Sequence, residues 1–514
     1  MARRPRGGGR GPRGGARFSR ARFALVAAGV AATGAAGVAT VIAGRTPGDE
    51  RVDPLALAAV AALTIDVRAT RLAPGDTARV VATARNVVDQ PLPGRLVTWT
   101  TSDSGVVTVT PRGDVRAVAP GTAVLEAACQ GQSTDVAITV VGRVDTVGVR
   151  PGDELQVLVA AAEEGTVFVI RAGVHHGDSV VPKNGMTFVG EPGAVLTGDD
   201  RAPFAFSGNA DPYPRNVVIR DLVIEHYASP AQAGAVRADV EAGAWTVEDC
   251  EVRDNAGGGI LIGPRARILR NRVHHNGQIG VSGSGDGVLV EGNEIAYNNP
   301  RAEYDMYWEA GGTKFARTRD LVVRGNFVHH NHGPGLWTDI DNVRTLYERN
   351  RVEDNAESGI FHEIGYAAVI RHNESRRNGA GAVPRGWVSG AGILVNSSSD
   401  VEIYGNLVEG NHNGITAIEA NRGRGAYGPY VLRDLYVHDN TVAMREGATG
   451  VATSGWRRLV DRATYAAHHN RFTANTYRLG PNRQYFRWSN TWLTAAEWRA
   501  AGQDVTGTFA PDAR

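Results

Sequence analysis

The sequence predicts an all-β protein in which a small β-sandwich precedes a long β-solenoid. Three observations predict this fold class. Glycine accounts for 64 of the 514 residues, and many glycines separate short apolar runs, which favours tight turns over long helices. Residues 63–142 alternate short strand patterns with turn signals. After residue 143 a unit of about 22 to 24 residues recurs, which is typical of a solenoid.

Composition sets broad limits on the function. With 42% apolar residues, the chain is long enough for more than one domain. The net charge of +1 gives no overall attraction to nucleic acid, and no nucleic-acid partner is expected. The two cysteines, Cys129 and Cys250, are far apart in sequence, which argues against a disulfide framework.

Residues 1–43 are predicted to be a targeting segment. Eight arginines lie among the first 22 residues, and residues 23–43 form an uncharged run. That run is long enough for a membrane anchor, but it is mostly alanine and glycine, so a cleaved signal peptide fits equally well. Either way the segment contacts the membrane and the remainder is exported. The protein is therefore expected to be extracellular, either secreted or anchored to the cell membrane. Residues 44–62 are interpreted as a linker.

The predicted β-sandwich spans residues 63–142. Turn signals such as "PGD", "PRGD" and "APGT" separate its short alternating strands. Through "VTWTTSDSGVVTVTPRGDVRAVAPGTAVLEA" this segment resembles the bacterial Ig-like group 2 domains. The resemblance implies a spacer or adhesive module.

The predicted solenoid spans residues 143–490, and two columns of asparagine mark its repeats. The first column contains Asn271, Asn293, Asn326, Asn350, Asn373, Asn406 and Asn440. The second contains Asn255, Asn276, Asn298, Asn331, Asn355, Asn378 and Asn411. Amide side chains at bends can bond to the coils above and below, so we expect ladders of asparagine. The repeat resembles the right-handed parallel β-helix of pectate-lyase-like proteins. In the predicted cap, residues 491–514, "WLTAAEWRAAGQD" predicts a short helix.

Two similar phrases, "GLWTDI" and "GIFHEI", occur in consecutive repeats. The interval from Asn326 to Asp339 is the same as the interval from Asn350 to Glu363. The two carboxylates are therefore predicted at equivalent positions of neighbouring coils. Because side chains alternate along a strand, a core-facing leucine and isoleucine in these phrases would turn both carboxylates outward.

Trp337 and Phe361 are predicted on the same outer face as Asp339 and Glu363. Coils stack about 4.8 Å apart, and like charges placed opposite each other are destabilising. Retaining glycoside hydrolases hold two carboxyl groups about 5–5.5 Å apart, and aromatic rings suit the apolar face of a sugar. The structural alternative is a turn residue at Asp339 and a solvated surface acid at Glu363.

The two phrases also resemble a known enzyme family. Trp337-Thr338-Asp339 and Phe361-His362-Glu363 match the order and spacing of the β-helix β-xylosidase family of glycoside hydrolases. The resemblance implies that Asp339 is the nucleophile and Glu363 the acid/base. The residues that follow each carboxylate depart from the family pattern, so the substrate is left open.

An aromatic and acidic insert, "PRAEYDMYWEAGGTKFARTRD", precedes Asn326 and is predicted to project over the same face. Trp308, Glu309 and Lys314 are its expected substrate contacts, and Lys314 is also expected near Trp337. Lys314 is one of only two lysines in the chain, and it could pair with the carboxylates or contact an acidic sugar. No cofactor is expected, although Asp305 and Glu309 could bind Ca²⁺ through oxygen ligands.

Two further residues complete the predicted site. The insert "GAGAVPRGWVSGAG" is expected to form the opposite wall, with Trp387 as its contact residue. His362 is predicted either to orient Glu363 or a substrate hydroxyl, or to be a buried histidine. The paired histidines of "VHHN" lie in the repeat column and are interpreted as bends rather than metal ligands.

Three functions remain compatible with the sequence. The first is an exported retaining glycoside hydrolase that acts on a polysaccharide or oligosaccharide. The second is a polysaccharide lyase or uronan epimerase, which needs a base for the sugar C5 proton and a cation for the uronate. The third is a non-catalytic glycan-binding surface protein. The fold alone does not choose among them, and the predicted carboxylate pair favours the first.

Overall fold

The computed structural model describes residues 59–512, except residues 68, 87–89, 142–144, 178, 240, 381–388, 454–467 and 489–490. The predicted targeting segment, most of the predicted linker and Trp387 lie outside the described residues. In the part of the chain that is described, no helix is long and apolar enough to cross a membrane.

Two four-stranded sheets form the N-terminal part of the structure. The first contains, in spatial order, Ala62–Val67, Thr77–Arg85, Asp114–Ala117 and Val107–Val109. The second contains Arg71–Leu72, Gln132–Val140, Gly121–Cys129 and Thr98–Thr101. Side chains from both sheets share one core, which includes Val80, Leu125 and Ile138. The likeness to Ig-like group 2 domains stays a prediction.

A solenoid of parallel strands follows, and most coils contribute one strand to each of three sheets. Sheet 1 contains Thr146–Val149, Val167–Ile170, Thr187–Gly190, Val218–Arg220, Thr246–Glu248, Arg267–Leu269, Leu289–Glu291, Val322–Arg324, Val343–Glu348, Tyr366–Arg371, Ser399–Tyr404, Tyr436–His438 and Arg471–Thr473. Sheet 2 contains Gly173–His176, Ala194–Thr197, Val223–Glu225, Glu251–Arg253, Arg272–His274, Glu294–Ala296, Phe327–His329, Arg351–Glu353, Glu374–Arg376, Leu407–Glu409, Thr441–Met444, Thr476–Leu479 and Thr508–Pro511.

Sheet 3 is the sheet that carries the two similar phrases of the sequence. It contains Phe206–Ser207, Gly234–Arg237, Gly258–Ile262, Ile279–Asp286, Gly311–Arg319, Leu336–Asp339, Ile360–Glu363, Ala391–Asn396, Asn413–Glu419, Thr449–Thr453, Phe486–Trp488 and Thr491–Leu493. Its last strand is antiparallel to the one before it. A small antiparallel hairpin, Arg424–Gly425 with Gly428–Pro429, lies outside the three sheets.

Side chains stacked from coil to coil fill the interior of the solenoid. In sheet 1, Val290, Val323, Tyr347 and Ile370 pair in register, and all four are fully buried. Full burial of one such side chain stabilises the fold by about 1.5–3 kcal/mol. No single coil can bury its own inner face, so each coil depends on its neighbours.

The two columns of asparagine form continuous ladders, as predicted. Along the first column, each Nδ2 donates to the next Oδ1 at 2.8–3.0 Å. Along the second column the same bonds measure 2.9–3.0 Å. The first ladder continues through Asn475 and ends at Asp504, whose Oδ1 accepts from Asn475 Nδ2 at 2.9 Å. These ladders hold consecutive coils in one register.

Two short helices lie near the ends of the solenoid. Helix α1, Leu155–Ala161, packs Val159 against the first coils. Helix α2, Ala495–Ala500, confirms the helix predicted from "WLTAAEWRAAGQD". A capping box between Thr494 and Glu497 begins α2. Trp498 of α2 is fully buried against the last coils, where its ring lies 5.0 Å from the ring of Phe486.

Candidate active site

Asp339 and Glu363 lie on adjacent strands of sheet 3 at equivalent positions. Leu336 pairs with Ile360, and the register continues through Thr338 and His362. The next residues along the two strands are Asp339 and Glu363, which we call the carboxylate pair. This parallel register confirms that the two similar phrases occupy neighbouring coils. The ladders of asparagine explain it, because they fix the start of each coil.

On the flanking coils, uncharged residues occupy the positions aligned with the carboxylate pair. Ala316 pairs with Asp339 on the preceding coil, and Asn396 pairs with Glu363 on the following coil. Two acids are therefore adjacent at the centre of this outward-facing column. Adjacent like charges cost stability, so the column is not explained by packing alone.

His362 points into the solenoid, so of its two predicted roles the structure supports the buried histidine and not the substrate contact. The residue is fully buried, and its Nδ1 lies 2.8 Å from Thr338 Oγ1. Tyr347 donates to the same hydroxyl at 3.0 Å. Burial lowers the pKa of His362 to about 4, so the imidazole is neutral near pH 7. Strand alternation is the physical reason, since the neighbours of an outward glutamate must face inward.

The two acids of the carboxylate pair are nearly buried, although their side chains point away from the core of the solenoid. Asp339 is 8% exposed and Glu363 is 7% exposed. Burial and the negative charge of Asp339 raise the pKa of Glu363, although Arg422 acts in the opposite direction. Each acid is covered by one cation, Lys314 over Asp339 and Arg422 over Glu363.

Lys314 is held by several groups around Asp339. Its Nζ lies 3.0 Å from Asp339 Oδ2 and 3.8 Å from Glu309 Oε1, and it donates to the Trp308 carbonyl at 2.6 Å. It also lies 3.9 Å from the centre of the Trp337 ring, which confirms the predicted proximity. Burial is the main cause that raises the pKa of Glu309, and Lys314 opposes it.

The aromatic residues of the site have different exposures. Trp337 and Phe361 stack with ring centres 5.3 Å apart and planes inclined by 14°. Trp337 is only 2% exposed, and Lys314 covers its ring. The prediction that this ring contacts a sugar is therefore wrong for this arrangement. Phe361 is partly buried against Leu394 and its neighbours. Trp308, in contrast, is 69% exposed beside Lys314, so it is the ring available for stacking.

An insert between strands Asn413–Glu419 and Tyr436–His438 delivers Arg422. Arg422 Nη1 donates to Glu363 Oε1, and Asn396 Nδ2 donates to the same oxygen at 3.0 Å. The insert is braced where Tyr430 donates to Asp341 Oδ1 at 2.7 Å. Arg422 is not among the site residues predicted from the sequence. The available signal was the interval between two ladder asparagines, Asn406 and Asn440, which is longer than one coil needs.

Each carboxylate has one oxygen committed to a cation. Lys314 occupies Asp339 Oδ2, whereas Asp339 Oδ1 is buried without a hydrogen-bond partner among the described residues. Arg422 and Asn396 both occupy Glu363 Oε1. A buried acceptor without a partner costs about 1–3 kcal/mol. Asp339 Oδ1 is thus the oxygen of this carboxylate that Lys314 does not occupy.

The backbone turns sharply directly after both carboxylates. Ile340 has φ 60° and Ile364 has φ 36°, in the left-handed region that β-branched residues rarely adopt. Conformations of this kind cost on the order of 1–3 kcal/mol and cluster at functional sites. Asn342 supports the first turn, since its Nδ2 donates to the Asp339 carbonyl at 2.9 Å. The flanking coils also have a left-handed residue at this position, Arg317 after Ala316 and Ser397 after Asn396, so the turn belongs to the repeat and the β-branched residues are what is unusual at the two acids.

A cavity of about 230 Å³ adjoins the carboxylate pair on the side of the preceding coils. Ala316 and Ile340 connect it to Asp339, because Ala316 pairs with Asp339 and Ile340 follows it. Its polar lining consists of Gln232, Gln278, Ser282, Ser284, Glu309, Lys314 and Arg317.

The expected calcium ligands have other partners. Glu309 faces Lys314, and Asp305 Oδ1 accepts from the backbone N–H of Tyr307 at 2.9 Å. Within the described ranges, no group of three or more histidine, cysteine, aspartate or glutamate side chains is arranged to hold a metal ion. Calcium binding stays a prediction.

Residues 238–408 match the family model described as "Right handed beta helix region". The solenoid is a right-handed parallel β-helix. The matched residues include the carboxylate pair and Lys314. No curated protein sequence matches the chain significantly.

Several solved structures are similar to the chain at low sequence identity. The A-module of mannuronan C-5 epimerase AlgE4 from Azotobacter vinelandii is 15% identical, covers 65% of this chain and 91% of its own, and has a TM-score of 0.47. A mannuronic acid specific polysaccharide family 6 lyase from human gut microbiota is 14% identical, with 72% and 92% covered and a TM-score of 0.48. XylC, in a complex with xylose, is 12% identical, with 66% and 83% covered and a TM-score of 0.47.

Proposed function

We propose that the protein is a carbohydrate-active enzyme, a retaining glycoside hydrolase in which Asp339 is the nucleophile and Glu363 the acid/base. The observation that carries the proposal is the parallel register that makes the two acids neighbours on adjacent coils. Strand spacing of about 4.7–4.9 Å in a sheet is close to the separation of about 5–5.5 Å that retaining enzymes use. Inverting enzymes need more room, because a water molecule lies between the two acids.

The surroundings of the two acids support different roles. Lys314 is paired with Asp339, so a positive charge lies beside the carboxylate that acts as the nucleophile. Glu363 is buried beside that negative charge, which raises the pKa of Glu363 and favours the protonated form that a general acid needs. The ion pair at Asp339 and the raised pKa of Glu363 therefore match the roles of nucleophile and acid, respectively.

The free oxygens suggest how the reaction proceeds. Asp339 Oδ1 attacks the anomeric carbon while Glu363 Oε2 gives its proton to the glycosidic oxygen, and the leaving sugar departs as an alcohol. The glycosyl group is then an ester of Asp339. Glu363, now a carboxylate, takes a proton from water as that water attacks the anomeric carbon, and Asp339 is released. Asn396 and Arg422 hold Glu363 by its other oxygen, so they orient the acid.

A lyase or epimerase would need an uncommitted base next to the sugar C5 proton. Lys314 is engaged by Asp339, Glu309 and a backbone carbonyl, so it acts as a cation rather than a base in this arrangement. His362, fully buried in the core, does not reach the outer face. These contacts favour hydrolysis over elimination.

Product stereochemistry tests the proposed function directly. Wild-type protein is incubated with a panel of α- and β-linked aryl glycosides and with acidic and neutral polysaccharides, and the first product is observed by NMR. We expect release of a sugar with the same anomeric configuration as the substrate. Inversion, an unsaturated uronate product or an absence of hydrolysis across the panel would contradict the proposal.

Lys314→Met should lower kcat/KM by about 10²-fold, which is typical for loss of one preorganised electrostatic contact. The Lys314 charge lowers the pKa of Glu363, so its removal should raise that pKa. The decline of kcat/KM at high pH should therefore move to higher pH in the variant. Activity is measured across pH on the best substrate of the panel.

The only other lysine of the chain provides the matched control. Lys183 donates to the carbonyls of Ala160 and Ala162 at 2.9 and 2.6 Å, in and just after α1. Lys183→Met is expected to keep kcat/KM and its pH profile. An equal loss in both lysine variants, or an unchanged pH profile in Lys314→Met, would refute the role given to Lys314.

A further inference from the structure

The cavity beside Asp339 exists because small residues precede it on the outer face of sheet 3. Ala316 is aligned with Asp339 on the preceding coil. One coil earlier, Ser284 lies between the register pairs that flank Ala316. Two coils with small outward side chains leave a depression next to two coils with acids. Ala316 and Ile340 line the depression, so it adjoins the carboxylate pair on the Asp339 side.

Hydrogen bonds of a buried side chain hold the segments that line this depression. Gln278 is 2% exposed, and its Nε2 donates to the Glu309 carbonyl at 2.7 Å. Its Oε1 accepts from the backbone N–H of Gln232 at 2.6 Å. One buried amide thus fixes two wall segments, so the cavity is preformed rather than created by a ligand. Its volume of about 230 Å³ is below the ~300–1,000 Å³ of sites for larger ligands, which fits a single sugar ring.

One positive charge in the cavity lining lacks a partner. Lys314 and Glu309 face each other at 3.8 Å, so their charges offset. Arg317 is exposed and its side chain has no hydrogen bond or ion pair within the described parts of the chain. Arg319, two residues further on, bonds instead to Tyr427 and approaches Asp286. The Arg317 backbone is fixed, because its N–H donates to the Ile340 carbonyl at 2.7 Å.

We propose that this cavity binds a uronic acid unit, with the Arg317 guanidinium paired to the sugar carboxylate. A planar guanidinium matches a carboxylate with two parallel hydrogen bonds, whereas the hydroxyls and amides of Ser282 and Gln232 suit the sugar hydroxyls. The orientation of the substrate in this inference rests on the proposed function. The cavity lies on the Asp339 side, so it holds the sugar whose anomeric carbon Asp339 attacks, and the leaving group lies toward Glu363.

The inference is tested by comparing the hydrolysis of two substrates that differ only at C6, one with a carboxylate there and one with a hydroxymethyl group. For each linkage, the aryl uronide and the matching neutral aryl hexoside are compared in wild type and in Arg317→Gln. We expect wild type to prefer the uronide, and Arg317→Gln to lower kcat/KM for the uronide by about 10- to 100-fold through KM. The neutral partner should change by less than about twofold. An equal effect on both substrates would overturn the inference.

Arg265→Gln is the matched control. Arg265 is also an exposed arginine in the left-handed conformation at a bend, with φ 57° against 53° for Arg317, but it does not line the cavity. Its replacement should leave both substrates unaffected. A loss in Arg265→Gln equal to that in Arg317→Gln would show a general charge effect and would also overturn the inference.

Binding without turnover separates this inference from the proposed hydrolase activity. Calorimetry with free glucuronate, galacturonate and mannuronate, and with the matching neutral hexoses, needs no reaction. Weaker binding of a uronate to Arg317→Gln than to wild type supports the site even if no glycoside is hydrolysed. Hydrolysis of neutral glycosides, with no uronate bound in preference to its neutral partner, would keep the proposed function and reject the uronate cavity.

Discussion

Asp339→Asn should lower kcat on the best glycoside by about 10⁴-fold, the scale of losing a group that forms the covalent bond. An amide is nearly the same size as a carboxylate and can still accept from Lys314, so the site should keep its shape. It cannot supply the charged oxygen that attacks the anomeric carbon. The measurement is kcat and KM for wild type and variant, together with the thermal unfolding midpoint of each.

Asp354→Asn is the control for that substitution. Asp354 follows a sheet 2 strand on the next coil and pairs with Arg377 at 2.7 Å, away from sheet 3. The same change from carboxylate to amide should leave kcat within about twofold there. If Asp339→Asn kept more than about a tenth of wild-type kcat, Asp339 would not be the nucleophile.

Glu363→Gln should have a large effect that depends on the leaving group. For sugars or other poor leaving groups we expect kcat/KM to fall by about 10²–10⁴-fold, the usual contribution of a general acid. Aryl glycosides with acidic phenols need little protonation, so kcat/KM for them should fall much less. The comparison uses two substrates with the same sugar and different leaving groups.

The pH profile provides a second measurement on the same variant. Burial and the charge of Asp339 raise the pKa of Glu363. Wild-type activity should fall as pH rises through that raised pKa, because the acid loses its proton. In Glu363→Gln this fall at high pH should disappear. Glu374→Gln, which changes a glutamate on sheet 2, should keep the wild-type profile, and a profile unchanged by Glu363→Gln would exclude the acid role.

The sequence predicted well which residues are aligned on neighbouring coils of the solenoid. Asparagines recur at nearly fixed spacing, and each ladder position allows few alternatives, because the amide must meet the coils on both sides. The equal intervals from Asn326 to Asp339 and from Asn350 to Glu363 were therefore enough to align the two acids. Alternation along a strand then predicted the outward direction of both acids, and the alignment of "GGTKF" with "GLW" on the next coil predicted that Lys314 lies near Trp337.

Long-range contacts of the inserts could not be predicted in the same way. Arg422 is 59 residues from Glu363 in sequence, and its insert returns across earlier coils without any repeat to fix its path. Arg422 and Lys314 together enclose the carboxylate pair. Lys314 also covers the Trp337 ring, and the low exposure of that ring was not predicted. His362 was left with two interpretations in the sequence, and strict alternation decides for the buried one. Trp387 lies outside the described residues.

Covalent trapping tests the central claim most directly, namely that Asp339 and Glu363 act together on one glycosidic bond. Wild-type protein is treated with an activated 2-deoxy-2-fluoro glycoside of the preferred sugar, digested, and examined by mass spectrometry. We expect one sugar attached per chain, on the peptide that contains Asp339. Labelling of a different residue, or steady turnover of that glycoside with an inverted product and no adduct, would contradict it.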